Sequence, residues 1–146
     1  MRQKRRGYAE ESELRRYIWC NYNHALTKRE HSIRVAAILE LKAQATASEL
    51  SATHFRQMPG YFFDEDVAGI VKDGITVFDQ RCCDRLLRDY ATQIYINRCV
   101  RCQRIVASPI ACACVWCGHS WFDLRSEIVA RAKSSIYPNP DETNMA

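Results

Sequence analysis

The chain has 146 residues, which is enough for one domain, or for a small domain with an appended module, to bury a core without disulfides. Hydrophobic residues make up 47% and charged residues 26% of the sequence, a composition that excludes disorder of the whole chain. The formal net charge of +4 permits contact with nucleic acid but does not require it, because solvated Lys and Arg also keep proteins soluble.

No stretch has the apolar run of a secretory signal or of a membrane span. The most apolar segment, residues 33–41, contains Arg34 and Glu40 and is far shorter than the ~20 apolar residues that a bilayer requires. We therefore expect a cytoplasmic protein that does not enter a membrane. In that reducing compartment, clustered cysteines indicate metal ligands rather than disulfides, and five of the eight cysteines lie between positions 99 and 117.

The first part of the chain predicts a helical body over residues 1–95, in which residues 1–9 form a flexible basic arm. From Glu10 onward, apolar residues recur at the spacing of an amphipathic helix. Thr27 and Glu30 form a capping-box pattern at the start of a second, largely apolar helix. Residues 48–61 are predicted to form a loop, because they are small and polar and end in a Pro-Gly pair.

Further helices are predicted before the sequence changes character. Asp64 is expected to cap a short helix that ends at Gly74. In the next predicted helix, apolar residues recur every four positions and lie on one face against the core. They are Phe78, Cys82, Leu86 and Tyr90. Residues 94–96 are β-formers and predict the first strand of a small ribbon over residues 96–122. Residues 123–146 are predicted to form a short helix and a disordered tail. The helical body and the ribbon together give an expected fold class of α+β, a mainly helical body with a C-terminal β-hairpin zinc ribbon.

Two Cys-x-x-Cys pairs carry the strongest chemical signal in the sequence, and their members are Cys99, Cys102, Cys114 and Cys117. Two such turns can direct four thiolates at one point, where sulfurs at about 2.3 Å satisfy tetrahedral Zn²⁺ and leave no open coordination position. The same four thiolates accept iron, so Zn²⁺ is the predicted ion and Fe is the alternative. Cys112 and His119 lie close enough in sequence to replace a ligand. We expect instead that Cys112 is a neighbouring thiol and that His119 is a surface or packing residue.

Residues 96–122 resemble the zinc-ribbon or rubredoxin-like family. The residues that carry this resemblance are the four cysteines and Gly118 after the second pair. The resemblance implies that the four cysteines are the ligands and that the segment is small and β-rich, and it implies nothing about reaction or substrate. Gln103 stands where the family has glycine after the first pair. The longer run from Asn97 to Trp121 is similar to ribbons that end small bacterial proteins.

No acid, base and nucleophile stand at diagnostic spacing, so we expect a protein that is not an enzyme. The leading interpretation is a binding or adaptor module with a structural zinc and a protein partner, in which Trp116 and Trp121 are candidate contacts. The alternative is a nucleic-acid-binding ribbon that uses the basic arm and three arginines, Arg98, Arg101 and Arg104. A third interpretation, an iron-loaded electron carrier, has the least support.

Overall fold

A computed structural model describes residues 7–137 of the chain. The predicted tail beyond residue 137 and the first six residues of the predicted basic arm lie outside the described residues. No helix within the described range is long and apolar enough to cross a membrane. The helices are α1 (Glu10–Tyr22), α2 (Lys28–Ala45), α3 (Glu49–Gln57), α4 (Glu65–Asp73), α5 (Ile75–Asp89) and α6 (Arg125–Lys133), with 3-10 turns at Asn23–Ala25 and Phe122–Leu124.

The chain divides into two compact units. The helical unit is the continuous segment 26–85, which contains α2, α3, α4 and most of α5. The cysteine unit combines both ends of the chain and is described over residues 7–25 and 86–137. The helix α1 therefore belongs to the same unit as the four clustered cysteines.

Two helix starts in the helical unit are those predicted from the sequence. The Thr27 hydroxyl accepts the Glu30 amide N–H at 3.0 Å, and the Glu30 carboxylate accepts the Thr27 N–H at 3.3 Å, so the capping box is confirmed. Asp64 caps α4 by accepting the Val67 N–H at 2.9 Å. Gly74 ends that helix with a φ of 98°, a conformation that glycine adopts without steric cost.

The loop predicted over residues 48–61 is wrong for most of its length, because this segment contains α3. The Ser48 hydroxyl caps the helix by accepting the Ser51 N–H at 3.3 Å. None of the residues of α3 is fully buried, so the segment has no need of a strong apolar stripe and its polar composition resembles that of a loop. The Pro-Gly signal at 59–60 belongs only to the turn that follows.

The helical unit holds a buried carboxylate beside an apolar core. Glu40 of α2 is only 6% exposed and accepts two hydrogen bonds from Arg56, at 2.9 and 3.0 Å. The Tyr61 hydroxyl and the Gln44 side chain donate to the same carboxylate at 2.8 and 3.2 Å. These partners, Arg56 foremost, outweigh burial and lower the pKa of Glu40 to about 2. The core beside it comprises Ile33, Ala36, Ala37, Val67 and Ile70.

The predicted β-hairpin ribbon is wrong, and with it the α+β fold class. Across residues 7–137 the chain is helical and contains no strand or sheet. The cysteine segment has only two isolated antiparallel bridges, Arg98 with Ile105 and Ala113 with Ser120. The cysteine unit is thus a pair of short turns packed with helices rather than a ribbon.

Hydrogen bonds from α1 account for the missing strand at residues 94–96. The Tyr17 hydroxyl donates to the Tyr95 carbonyl at 2.6 Å and accepts the Asn97 N–H at 3.1 Å. The Tyr22 hydroxyl donates to the same carbonyl at 3.0 Å and accepts the Tyr95 N–H at 3.1 Å. Because side chains of α1 satisfy these backbone groups, the segment needs no partner strand despite its β-forming composition.

Candidate metal centre

The four clustered cysteines lie on two turns with the same backbone, here called the first knuckle (98–105) and the second knuckle (113–120). The bridge that closes the second knuckle, Ala113 with Ser120, lies 15 residues further along the chain than the equivalent bridge of the first, Arg98 with Ile105. In each knuckle the amide that follows the second cysteine donates to the carbonyl of the first cysteine, at 2.8 and 2.9 Å. The cysteine segment is therefore a backbone repeat, although its side chains differ.

Each knuckle requires a left-handed residue directly after its second cysteine. Gly118 has a φ of 79° and Gln103 has a φ of 63°. The left-handed conformation is free of steric cost for glycine and costs about 1–2 kcal/mol for a residue with a Cβ. Gln103 therefore adopts the same left-handed conformation as Gly118 at some cost in stability.

The two knuckles bring their cysteine sulfurs to one point. The Sγ atoms of Cys99, Cys102, Cys114 and Cys117 all lie within 4.8 Å of one another. Two contacts cross between the knuckles, Cys99 to Cys117 and Cys102 to Cys114, each with an Sγ–Sγ distance of 3.6 Å. Four sulfurs at about 2.3 Å from a tetrahedral Zn²⁺ stand about 3.8 Å apart, so this group fits one ion.

Backbone amides favour the thiolate form of these cysteines, and the neighbouring thiols shift the pKa values of Cys99 and Cys102 in opposite directions. Burial disfavours the Cys99 thiolate, but the amides of Cys102 and Arg101 and the neighbouring thiols lower the pKa of Cys99 to about 7. The Arg104 amide favours the Cys102 thiolate, yet burial and the surrounding thiols raise the pKa of Cys102 to about 11. Four thiolates at this separation repel one another, so full deprotonation requires a cation among them.

The site rests on a small apolar core of the cysteine unit. Trp121 is 6% exposed and packs in this core together with Ile128 of α6. Cys112 is also buried there, and its thiol donates to the Ile110 carbonyl at 3.6 Å. The ring of His119 lies 5.7 Å from that of Trp121. Among the described residues, the group that could hold a metal ion consists of the four predicted cysteines, without Cys112 or His119.

Two of the three arginines predicted as nucleic-acid contacts have partners within the cysteine unit. Arg98 forms an ion pair with Glu10 and donates to the Gln103 carbonyl at 3.1 Å. The Arg104 guanidinium lies 5.2 Å from the centre of the Tyr8 ring and 5.9 Å from that of the Trp116 ring. Arg101, the third, is exposed, as are Arg98 and Arg104.

The other aromatic contact candidate, Trp116, is held within the same unit. Its indole N–H donates to the Ile105 carbonyl at 3.0 Å, and its ring meets that of Tyr8 edge-on at 5.1 Å. Trp116 is half-buried by these contacts, so only part of its ring is available to a partner.

Asn97 is a structural residue of the site that sequence reasoning did not single out. It is 3% exposed, and its side-chain NH₂ donates to the carbonyls of Ser108 and Ala111 at 3.0 Å each and of Pro109 at 3.4 Å. These bonds hold the loop that connects the two knuckles. The available signal was its place directly before the first knuckle, since a polar residue there must find partners if it is buried.

No protein-family model matches the chain, and neither the search of curated proteins nor that of solved structures found a match.

Proposed function

We propose that the protein is a non-enzymatic binding protein whose cysteine unit is held together by one structural Zn²⁺. The observation that carries this proposal is the group of four cysteine sulfurs within 4.8 Å of one another. Four thiolates close the coordination shell of Zn²⁺ and leave no position for substrate or water, which argues against catalysis at the ion. A reducing, cytoplasmic location is part of the proposal, because free thiolates persist there.

The ion is proposed to be structural because the segment around it has little else to stabilise it. The two knuckles contain only isolated bridges and short hydrogen-bonded turns, and the core beside them is small. Metal binding supplies folding free energy to such segments, commonly about 10–16 kcal/mol for zinc held by small modules. Removal of the ion should therefore unfold the cysteine unit before the helical unit.

Exposed apolar residues of the cysteine unit support a protein partner. Val100 and Val115 occupy the same position in the two knuckles and are 72% and 61% exposed, and Phe122 is 64% exposed. A contiguous apolar patch at the surface commonly marks a contact with another protein, and we propose that these three residues form one. Trp121, by contrast, is buried, so we propose that the valines and Phe122 contribute to this surface and that Trp121 does not.

Nucleic-acid binding is the second candidate, and the exposed guanidinium of Arg101 is the observation in its favour. Contact through Arg98 would compete with its ion pair to Glu10, and contact through Arg104 would compete with its stacking on Tyr8 and Trp116. Binding would therefore rest largely on Arg101 and on the basic residues at positions 2–6. This arrangement ranks nucleic acid below a protein partner.

The metal proposal is tested by elemental analysis of protein purified without added metal, with two matched cysteine variants. Wild type and Cys112→Ser should each carry one equivalent of zinc per chain, because Cys112 is a buried neighbour outside the donor group. Cys114→Ser should lose most of its metal. A wild-type protein without stoichiometric metal, or equal loss in both variants, would contradict the proposed site. Visible absorbance from iron bound to thiolates would instead favour the electron carrier.

The choice between partners is tested by fluorescence anisotropy with labelled single- and double-stranded oligonucleotides, using zinc-loaded protein at low and near-physiological salt. The protein-partner proposal expects no binding at near-physiological salt. Binding that weakens steeply with salt and is lost in Arg101→Ala would instead establish the nucleic-acid function, because phosphate contacts release counterions.

A further inference from the structure

The two knuckles share a backbone but expose their cysteines unequally. The first cysteine of each knuckle faces the core, since Cys99 is 0% and Cys114 is 3% exposed. The second cysteine of each lies further out, and here the knuckles differ: Cys102 is partly buried, whereas Cys117 is exposed. A reagent in solution therefore meets Cys117 before it meets the other three donors.

The residue after each second cysteine also differs between the knuckles. In the first knuckle the side-chain amide of Gln103 donates to the Val100 carbonyl at 3.1 Å, so this side chain lies across the turn that carries Cys102. In the second knuckle the equivalent residue is Gly118, and a Cβ built there would meet nothing within 4 Å. The space into which a side chain at position 118 would extend is therefore open.

We propose that Cys117 is a modification site at which a small hydroperoxide oxidises the metal centre, with Cys99 as the resolving cysteine. The inference rests on the proposed metal site, because cysteines that hold a metal ion are thiolates, the nucleophilic form of the side chain. Exposure selects Cys117 among the four thiolates. Cys99 is the partner because its sulfur lies 3.6 Å away, on the other knuckle.

The chemistry takes place in two steps, with hydrogen peroxide as the oxidant. The Cys117 thiolate attacks one peroxide oxygen, so that an S–O bond forms, the O–O bond breaks and hydroxide leaves; the transferred oxygen keeps its hydrogen, so the product is the sulfenic acid. The Cys99 thiolate then attacks the Cys117 sulfur, so that an S–S bond forms, the S–O bond breaks and a second hydroxide leaves. Two thiolates are oxidised by two electrons in total, and one peroxide is reduced.

The disulfide would remove two of the four metal ligands. The Cys99 and Cys117 sulfurs must close from 3.6 Å to a bond length of about 2 Å, so they can no longer both bind the ion. Cys102 and Cys114 remain as a pair that cannot fill a tetrahedral shell, and the metal leaves. Thiol reductants restore the four donors, which makes the step reversible.

Cys20 is the other exposed cysteine, but its sulfur is not part of the metal-holding group. Its oxidation would therefore leave the four donors intact. In the Cys20→Ser variant, Cys117 is the remaining exposed thiol, because the other cysteines are buried or partly buried.

The test treats zinc-loaded Cys20→Ser protein with limiting hydrogen peroxide. Peptide mass spectrometry maps the disulfides, and a chromogenic chelator follows the released zinc. Two further variants exchange the residues beside the outer cysteines: Gly118→Gln adds a side chain next to Cys117, and Gln103→Gly removes the side chain next to Cys102. Circular dichroism and zinc content before treatment establish that each variant is folded.

We expect a Cys99–Cys117 disulfide with one equivalent of zinc released per disulfide. Gly118→Gln should slow this reaction several-fold, and Gln103→Gly should raise Cys102–Cys114 disulfide formation several-fold. A first disulfide between any other pair, or rates that neither exchange alters, would overturn the inference. If Gly118→Gln does not fold, the Gln103→Gly arm decides alone. Untreated protein without zinc would contradict the proposed function itself, which is a different failure.

Discussion

The side chain of Asn97 should be among the most sensitive positions of the cysteine unit. It is buried, and it donates to two carbonyls of the loop between the knuckles at 3.0 Å and to a third at 3.4 Å. Asn97→Ala removes all of these hydrogen bonds and leaves a small void. The Ser108 carbonyl keeps a hydrogen bond from the Ala111 N–H at 3.1 Å, whereas the Ala111 carbonyl loses its Asn97 donor. Asn97→Asp keeps the shape but replaces the donor group with an acceptor that faces carbonyl oxygens.

The expected loss follows from the two short hydrogen bonds. Each contributes about 0.5–1.5 kcal/mol net, and a buried carbonyl left without a donor adds about 1–3 kcal/mol where water cannot reach it. We expect Asn97→Ala to lower the unfolding free energy of the zinc-loaded cysteine unit by about 2–4 kcal/mol. Asn97→Asp should lower it at least as much at neutral pH, because burial of an unpaired charge is more unfavourable than loss of a neutral donor.

Tryptophan fluorescence during denaturant unfolding provides a selective assay. All three tryptophans, Trp19, Trp116 and Trp121, belong to the cysteine unit, so their signal reports on it alone. Gln93→Ala is the matched control, because it removes an exposed side-chain amide from the same unit and should change the unfolding free energy by less than about 0.5 kcal/mol. An Asn97→Asp protein as stable as the control would refute the assignment of these hydrogen bonds as a main support of the site.

Three further predictions follow from the geometry. Gln103→Gly should raise the unfolding free energy of the cysteine unit by up to about 1 kcal/mol, because glycine adopts the left-handed conformation without a Cβ clash. Gly118→Ala should lower it by about 1–2 kcal/mol for the converse reason. A change of the same sign in both variants, measured by the same denaturant titration, would contradict the strain argument. The pKa of Glu40 is lowered to about 2, so its contribution of at most about 3 kcal/mol is fully present above pH 4.5 and is lost as the pH falls toward 2. Glu40→Gln should therefore be less stable than wild type at pH 7 and lose less stability on acidification by circular dichroism, while the exposed control Glu49→Gln should follow wild type. Tyr22→Phe removes a donor and an acceptor from the backbone of residue 95 and should lower the unfolding free energy of the cysteine unit by about 1–2 kcal/mol, and an unchanged tryptophan transition would show that water replaces the hydroxyl.

Local chemistry in the sequence predicted two of the helix starts and the four cysteines that could hold a metal ion. The capping box at Thr27 and the cap at Asp64 depend on atoms within three residues of one another, so their spacing in the sequence is already their geometry. The same holds for each Cys-x-x-Cys turn, whose two sulfurs point to one side for local reasons. The group of four cysteines could therefore be predicted although the segment that carries them forms no strand.

The failures concern elements whose outcome depends on distant residues. Residues 94–96 have the composition of a strand, but the hydroxyls of Tyr17 and Tyr22, more than 70 positions away, take the hydrogen bonds that a partner strand would have made. The helix α3 was missed because it buries none of its residues fully, and its contact through Arg56 is with a carboxylate of another helix. Neither partner can be identified from the local pattern.

The sequence by itself determined which four cysteines can hold a metal ion, because the spacing within each pair is a property of a short turn. Only the tertiary structure decided how exposed each of these cysteines is. It also decided that Asn97 is buried, that Arg98 and Arg104 have intramolecular partners, and that α1 packs in the same unit as the knuckles. These features depend on contacts between residues up to about 100 positions apart. Local sequence patterns, which extend over fewer than about 20 residues, do not reveal such contacts.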